Sequence, residues 1–335
     1  MKKHWLTITC LLIVFIFICL NLLIGKANIS IEDIFRILVG QSEDNFAQNL
    51  ILHYRLPKVI TSILVGLALP IAGFLLQELF KNSLAEPSVL GITAMASLGV
   101  AIVVFLFSII GLDYLLGNSW LTISAAMIGS LTALVLIGTF SYRVKSSTAL
   151  IVLGMMLSGL AVSFIGLLQY FAPSEKIKSF LLWSFGSLTG LKWEQIFVFS
   201  LCVFTGLLLA YGTLKSLTFL LLGEKYAQTL GVNLFRLRFT LLLSTSILTA
   251  AATAFAGPIA FIGLAVPHIC RNILKTSNMH YLFFSVMMMG AALMLIFSFL
   301  TDVFPFGTFP INIITSLFGT PIVISIVLKN SKSEG

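Results

Sequence analysis

Ten continuous apolar runs constrain this chain more than anything else in it. They lie near residues 6–24, 57–77, 90–110, 119–140, 148–171, 194–214, 239–256, 258–274, 281–300 and 311–328. Each approaches the roughly 20 apolar residues that a helix needs to cross a bilayer. Lipid offers no partner to backbone N–H and C=O groups, so runs of this length are expected as helices. A membrane barrel would instead show segments of about ten residues with alternating polarity. Only 10% of residues are charged and 59% are hydrophobic, whereas a soluble domain carries about a quarter charged residues. The fold class is therefore all-α: a polytopic membrane protein of about ten transmembrane helices. No polar linker divides the chain, so residues 1–335 read as a single transmembrane domain. The stretch after Lys2 and Lys3 is longer than a signal-peptide core and lacks a small-x-small cleavage site. It reads as a retained first span.

Loop charge sets the orientation. With a cytoplasmic N-terminus, the inner set of cations is Lys2, Lys3, Lys81, Arg143, Lys145, Lys215, Lys225, Arg236, Arg238, Arg271, Lys275, Lys329 and Lys332. The outer set is smaller: Lys26, Arg36, Arg55, Lys58, Lys176, Lys178 and Lys192. This bias predicts both termini on the cytoplasmic side, and it explains the net basic charge without nucleic acid. Three segments between spans are long enough to carry function. Residues 25–56 lie outside and hold a short helix at 31–39, residues 172–193 lie outside, and residues 215–238 form the longest inner loop.

Charged and amide groups are costly inside a membrane and usually mark function there. Here Gln77, Glu78, Gln169, His268, Arg271, Asp302 and Asn312 all fall near span ends. No mid-membrane ladder of the kind used by ion-coupled transporters is present, which counts against the alternative reading of a stand-alone secondary transporter. Cys10, Cys19, Cys202 and Cys270 sit in apolar runs and read as packing residues. His4, His53 and His280 are scattered without metal-ligand spacing, so no metal or cofactor site is expected. The only Gly-Lys pair, Gly25-Lys26, is followed by Ala27, so no phosphate-binding loop of the G-x-x-x-x-G-K-[ST] type exists. His268 and Arg271 share one face near the end of span 8. They read as satisfying helix-end carbonyls, with a second role toward a partner.

Five blocks occur in a fixed order. They are Tyr54-Arg55-Leu56-Pro57-Lys58; then Gly66-Leu67-Ala68-Leu69, Gly73, Gln77, Lys81-Asn82-Ser83-Leu84-Ala85-Glu86-Pro87 and Leu90-Gly91; then Trp183 to Trp193, with Gly186-Ser187-Leu188 and Gly190 between. Leu222-Gly223, Ala227 and Leu230-Gly231-Val232 follow, and then Ala256-Gly257-Pro258-Ile259-Ala260-Phe261-Ile262-Gly263-Leu264-Ala265-Val266-Pro267-His268-Ile269-Cys270-Arg271. In these blocks the chain resembles the permeases of ABC importers for iron–siderophores, haem and cobalamin, of which the cobalamin permease is a type II example. It departs from their pattern at Pro70, at Ser83 in place of proline, at Thr308 in the last block, and after Asp302, where Val303, Phe304 and Pro305 stand in place of a basic residue.

The resemblance implies a non-enzymatic transport subunit that carries an iron–siderophore, haem or cobalamin. It implies a homodimer, or a pair with a close paralogue, around the path. It also implies two separate ATP-binding subunits that hold ATP and magnesium, and a periplasmic or lipoprotein binding protein. The 215–238 loop is then the ATPase-coupling element, with Gly223 and Gly231 setting the ends of a short helix and Glu224, Tyr226, Ala227, Thr229 and Leu230 offering the contact face. Arg55 and Lys58 are then exposed outer-rim residues that meet the binding protein. Pro70 and Gly73 bend span 2, and Gly154, Gly159 and Gly166 thin one side of span 5, beside the path. Close packing of helices accounts for these small residues equally well.

Overall fold

In a computed structural model, residues 2–25, 29–38, 45–112, 114, 118–143, 147–303 and 309–331 are described. Lys26, Lys145, Phe304, Pro305, Thr308 and Lys332 lie outside them. The helices are α1 (Lys2–Leu23), α2 (Ile31–Leu38), α3 (Asn45–Leu50), α4 (Leu56–Phe80), α5 (Ile92–Ala101), α6 (Phe107–Ile109), α7 (Ser119–Arg143) and α8 (Ser147–Phe171). They continue with α9 (Ser174–Ser184), α10 (Trp193–Leu220), α11 (Glu224–Thr229), α12 (Leu234–Ala256), α13 (Ile262–Leu274), α14 (Met279–Val303) and α15 (Ile311–Ser331). Turns of π-helix at Ile51–Arg55 and Ile102–Leu106 join α3 to α4 and α5 to α6. No strand occurs among the described residues.

Among the described residues, eight helices are long and apolar enough to cross a membrane, and the shorter apolar segments Ile262–Leu274 and Ile311–Ser325 fill the eighth and tenth expected places. The short outer helix expected at 31–39 is α2, whereas α9 was not legible as a helix. Span 8 is shorter than its apolar run. Residues 257–261 are non-helical, with Gly257 at φ +78° and Phe261 at φ +69°. Non-helical backbone at membrane depth needs partners from the protein. They come from the 185–187 turn and the start of α15: the Ser187 amide donates to the carbonyl of Ala256, the last residue of α12 (2.8 Å), the Ala260 amide to Asn312 Oδ1 (3.2 Å), and the Asn312 amide to the Phe185 carbonyl (3.2 Å). Gly319 makes room for the turn, because a Cβ there would sit 2.4 Å from Cβ of Phe261.

The bundle is built around α4. In the most apolar 18-residue stretch of the spans Phe46–Phe80 and Leu234–Ala256, 78% of the residues are buried, against 17% and 22% in those of Trp5–Leu23 and Ala149–Phe171. Helix α4 packs on α10, α12, α13 and α14. Glycines set the closest approaches. A Cβ on Gly73 would lie 1.8 Å from the Gly263 carbonyl oxygen, and one on Gly290 would lie 2.0 Å from that of Gly66. The α5–α7 crossing repeats the device, with Gly99 and Gly129 each leaving 2.1 Å for a Cβ against Ala125 O and Met95 O. With no hydrophobic driving force between helices in lipid, close backbone contact supplies much of the association energy.

Side-chain bonds fasten the ends of α4. At its C-terminal end, Arg271 of α13 donates to Gln77 Oε1 (2.6 Å) and to Glu78 Oε1 (2.8 Å). The guanidinium also stacks 5.7 Å from the centroid of the Phe74 ring. The expectation that Arg271 serves helix-end carbonyls gives way to a clamp between α4 and α13. The carboxylate and amide of α4 are better acceptors for a planar two-pronged donor.

Gly73→Ala is expected to destabilise the protein by about 3 kcal/mol or more, since the added methyl meets backbone rather than a movable side chain. Gly166→Ala, with no atom within 4 Å of the new Cβ, is expected to stay within about 1 kcal/mol of wild type. Unfolding in detergent separates the two, and equal losses would contradict the packing assignment. Arg271→Met is expected to cost about 2 kcal/mol, because it leaves Glu78 partly buried without its cation. Adding Glu78→Gln to that variant is expected to recover part of the loss, as a double-mutant cycle would show.

Candidate functional site

On the face of the bundle that holds the clamp, α10 ends and α12 begins. The connector between them is shorter than the expected 215–238 loop. Leu217 and Leu220 are buried against the body, which extends α10 to Leu220, and Asn233 caps α12 by accepting the Arg236 amide at 3.0 Å. Residues 221–233 remain, with the six-residue α11 at their centre. Gly223 at φ +106° and Gly231 at φ +85° flank it, conformations that other residues rarely adopt. The Gly231 amide donates to the Gln228 carbonyl (3.0 Å) and the Val232 amide to the Ala227 carbonyl (3.0 Å), closing the helix end. The expectation of a short helix with glycine-set ends matches this geometry.

The contact face expected on α11 divides in two. Glu224, Tyr226, Thr229 and Leu230 are exposed. Ala227 has no exposed surface, so it seats the helix on the body instead of joining the outer face. Arg238 of α12 holds the helix from the side, donating to Glu224 Oε1 at 2.7 Å. With Leu221 and Leu222, the exposed Tyr226 and Leu230 form an apolar patch beyond the ends of the spanning helices. The loop 81–91 starts from the same end of α4. Its Glu86 accepts the Ser88 hydroxyl, and burial pushes the Glu86 carboxyl up from its ordinary value while that hydrogen bond pulls it down.

At the opposite face the structure corrects the reading of Arg55 and Lys58. Both are buried, at 8% and 6% exposure, not displayed on a rim. Arg55 donates to the carbonyls of Leu22 and Leu23 at the end of α1, carbonyls that no helical amide reaches. Lys58 Nζ donates to Ser298 O (2.9 Å), Thr301 Oγ1 (2.9 Å) and Asp302 Oδ2 (2.6 Å). The sequence around Asp302 lacks a neighbouring cation, and α4 supplies one across the bundle. The cluster runs on through the Ser298 hydroxyl, which donates to Asn21 Oδ1 (3.0 Å), and through Asn21 Nδ2, which donates to Leu295 O (3.1 Å), so that α1, α4 and α14 are tied together. Lys58 and Asp302 form one wall of a cavity of about 200 Å³ that Ser187, Thr189 and Pro310 also line. Opposite charges at the ends of spans 2 and 9, which loop charge predicts to share one side of the membrane, were the signal for this pair. Nothing local in the sequence joined them.

The small residues assigned to the path also separate. Pro70 and Gly73 are buried in contacts with α14 and α13, and Gly154 packs on Val89 and Leu90. Gly159 and Gly166 face open space on α8, beside exposed Met155, Met156, Val162 and Phe164. The structure thus brings the 223–231 residues together, and of the five residues assigned to the path it buries Pro70, Gly73 and Gly154 in helix contacts and leaves Gly159 and Gly166 on the open face of α8. Among the described residues, no group of three or more His, Cys, Asp or Glu converges to hold a metal.

Residues 11–329 match the model of the FecCD transport family. The chain is 32% identical to the molybdate import system permease protein MolB of Haemophilus influenzae, over 96% of this chain and 94% of that one. It is 33% identical to the hemin transport system permease protein HmuU of Yersinia pestis, over 97% of each. A solved structure of a metal-chelate type ABC transporter in an inward-facing conformation superimposes with a TM-score of 0.84 at 28% identity, covering 96% of this chain and 98% of that one. The ordered glycine and proline blocks, the bundle around α4 and these relatives agree, and the chain belongs to the FecCD transport family, as a multi-pass membrane permease of a type II ABC importer.

Proposed function

We propose that this permease carries a metal chelate or a metal-containing cofactor, an iron–siderophore, haem or cobalamin, across the bacterial cytoplasmic membrane, with both of its termini on the cytoplasmic side. Two copies of the chain enclose the path. Two separate ATP-binding subunits hold ATP and magnesium and supply the energy, and a periplasmic or lipoprotein binding protein delivers the cargo. The hemin permease among its relatives and the metal-chelate transporter it superimposes on support that class of cargo. The molybdate permease shows that the family also serves a small oxyanion, so cargo is tested directly.

The observation that carries the mechanism is a set of exposed apolar side chains on and beside a helix held between two glycines: Tyr226 on α11, Leu221 and Leu222 before it and Leu230 just after it. Exposed apolar side chains outside the bilayer gain from burial against a partner. A six-residue helix seated by Ala227 and braced by Arg238 transmits displacement as a rigid unit. We assign this patch to the ATPase and the open α8 face with Gly159 and Gly166 to the second copy and the path. Arg55 and Lys58 at the opposite face are engaged inside the chain, so delivery of cargo there relies on other groups.

Tyr226→Ala is expected to leave the protein inserted and folded while weakening ATPase association about tenfold, as loss of an aromatic anchor does. Gly231→Pro cannot adopt φ +85° and loses the amide bond to Gln228, and Ala227→Arg cannot keep its seat, so both are expected to abolish uptake. Undiminished uptake in these variants would rule out the coupling assignment. Arg55→Glu is expected to lower the yield of folded protein, not to make docking of the binding protein salt-sensitive; normal folding with salt-sensitive docking would restore the rim reading. Uptake of labelled iron–siderophore, haem, cobalamin and molybdate, compared in cells with and without this chain, identifies the cargo.

A further inference from the structure

A groove of about 520 Å³ runs between α10 and α12 next to the coupling loop. Its two ends differ in chemistry. Lys215, Ser216, Asn233 and Arg236 line the end near the helix termini. Leu208, Leu209 and Gly212 continue it along α10 toward the bilayer interior. Lys215 and Arg236 are exposed, and neither side chain forms an ion pair or hydrogen bond among the described residues. No acidic residue lines the groove; the nearby Glu224 is taken up by Arg238. Nothing fills the apolar end, for a Cβ on Gly212 would meet no atom within 4 Å.

Both walls are membrane-spanning helices, so the groove opens beside lipid. Lys215 lies five residues from the end of α10, about 8 Å, and Arg236 lies two residues into α12, about 3 Å, which places both cations at the depth of the headgroup layer. From Lys215 to Leu208 the groove descends about 10 Å, the length of the upper half of an acyl chain. Basic pockets between spanning helices are complementary to anionic headgroups, and the unpaired cations call for one. We propose that this groove is a binding site for an anionic phospholipid, with the phosphate between Lys215 and Arg236 and an acyl chain along Leu208, Leu209 and Gly212. A lipid seated there touches Leu230, Gly231 and Val232, so it braces the connector that follows α11. The site does not depend on which cargo the permease carries.

The test uses the full chain purified in detergent, titrated with phosphatidylglycerol, phosphatidylcholine or inorganic phosphate, with retained lipid read by native mass spectrometry and stability by the thermal unfolding midpoint. Phosphatidylglycerol is expected to be retained and to raise the midpoint, while phosphatidylcholine and inorganic phosphate do neither. Lys215→Gln and Arg236→Gln are each expected to weaken retention about fivefold, and the pair about twenty-five-fold, from the usual contribution of one cation near an anionic headgroup. Gly212→Leu fills the apolar end without changing charge and is expected to reduce retention as well, whereas Lys275→Gln, a cation outside the groove, is not. Retention unchanged in the Lys215/Arg236 pair, equal retention of phosphatidylcholine, or an equal effect of inorganic phosphate would each overturn the site. So would displacement of the lipid by the ATPase subunit together with equal weakening of ATPase binding in the pair, which would make the groove a protein contact.

Discussion

The approach of α4 to its neighbours through glycine is the contact on which the rest of the bundle depends. A helix surrounded by α10, α12, α13 and α14 cannot gain from hiding apolar surface, because lipid is equally apolar. It gains from backbone contact too close for any side chain, as at Gly73 against Gly263 and Gly66 against Gly290. Once these crossings fix the depth and angle of α4, the ends of the helix fall where Arg271 meets Gln77 and Glu78, and where Lys58 meets Asp302. The ion pairs are placed by the packing, and they hold a register that the glycines have set.

Two ion pairs fasten the ends of α4. Lys58 with Asp302 ties α4 to α14 at one face, and Arg271 with Glu78 ties α4 to α13 at the other. An ion inside lipid costs several kcal/mol without a partner, so this arrangement keeps each one near water and near its counter-charge.

The spans were legible because lipid permits few alternatives: apolar runs such as 119–140 and 281–300 have to become helices, and they did. The short helix α11 was legible through Gly223 and Gly231, whose spacing marks two breaks in an otherwise helical stretch; only the family resemblance suggested a role for it. Three features were not. Phe261 and its neighbours are as apolar as the helix that follows, so hydropathy could not show that 257–261 is extended; Asn312 and Gly319, far along the chain, make that possible. The burial of Arg55 and Lys58 depends on α1 and α14 arriving beside α4, a separation of 244 residues for Lys58 and Asp302. Ala227 and Tyr226 are neighbours in a six-residue helix, and only the seat of that helix decides which one faces outward.

The non-helical segment 257–261 has a mechanical consequence. The Ala256 carbonyl at its start accepts the Ser187 amide, the Ala260 amide donates to Asn312, and Asn312 bonds back to Phe185. Pulling any one of the three segments away strands a donor or acceptor at low dielectric, at about 1–3 kcal/mol for each broken bond. The least costly displacement is therefore one in which the 185–187 turn, residues 257–261 and the start of α15 travel together as a single cross-braced panel.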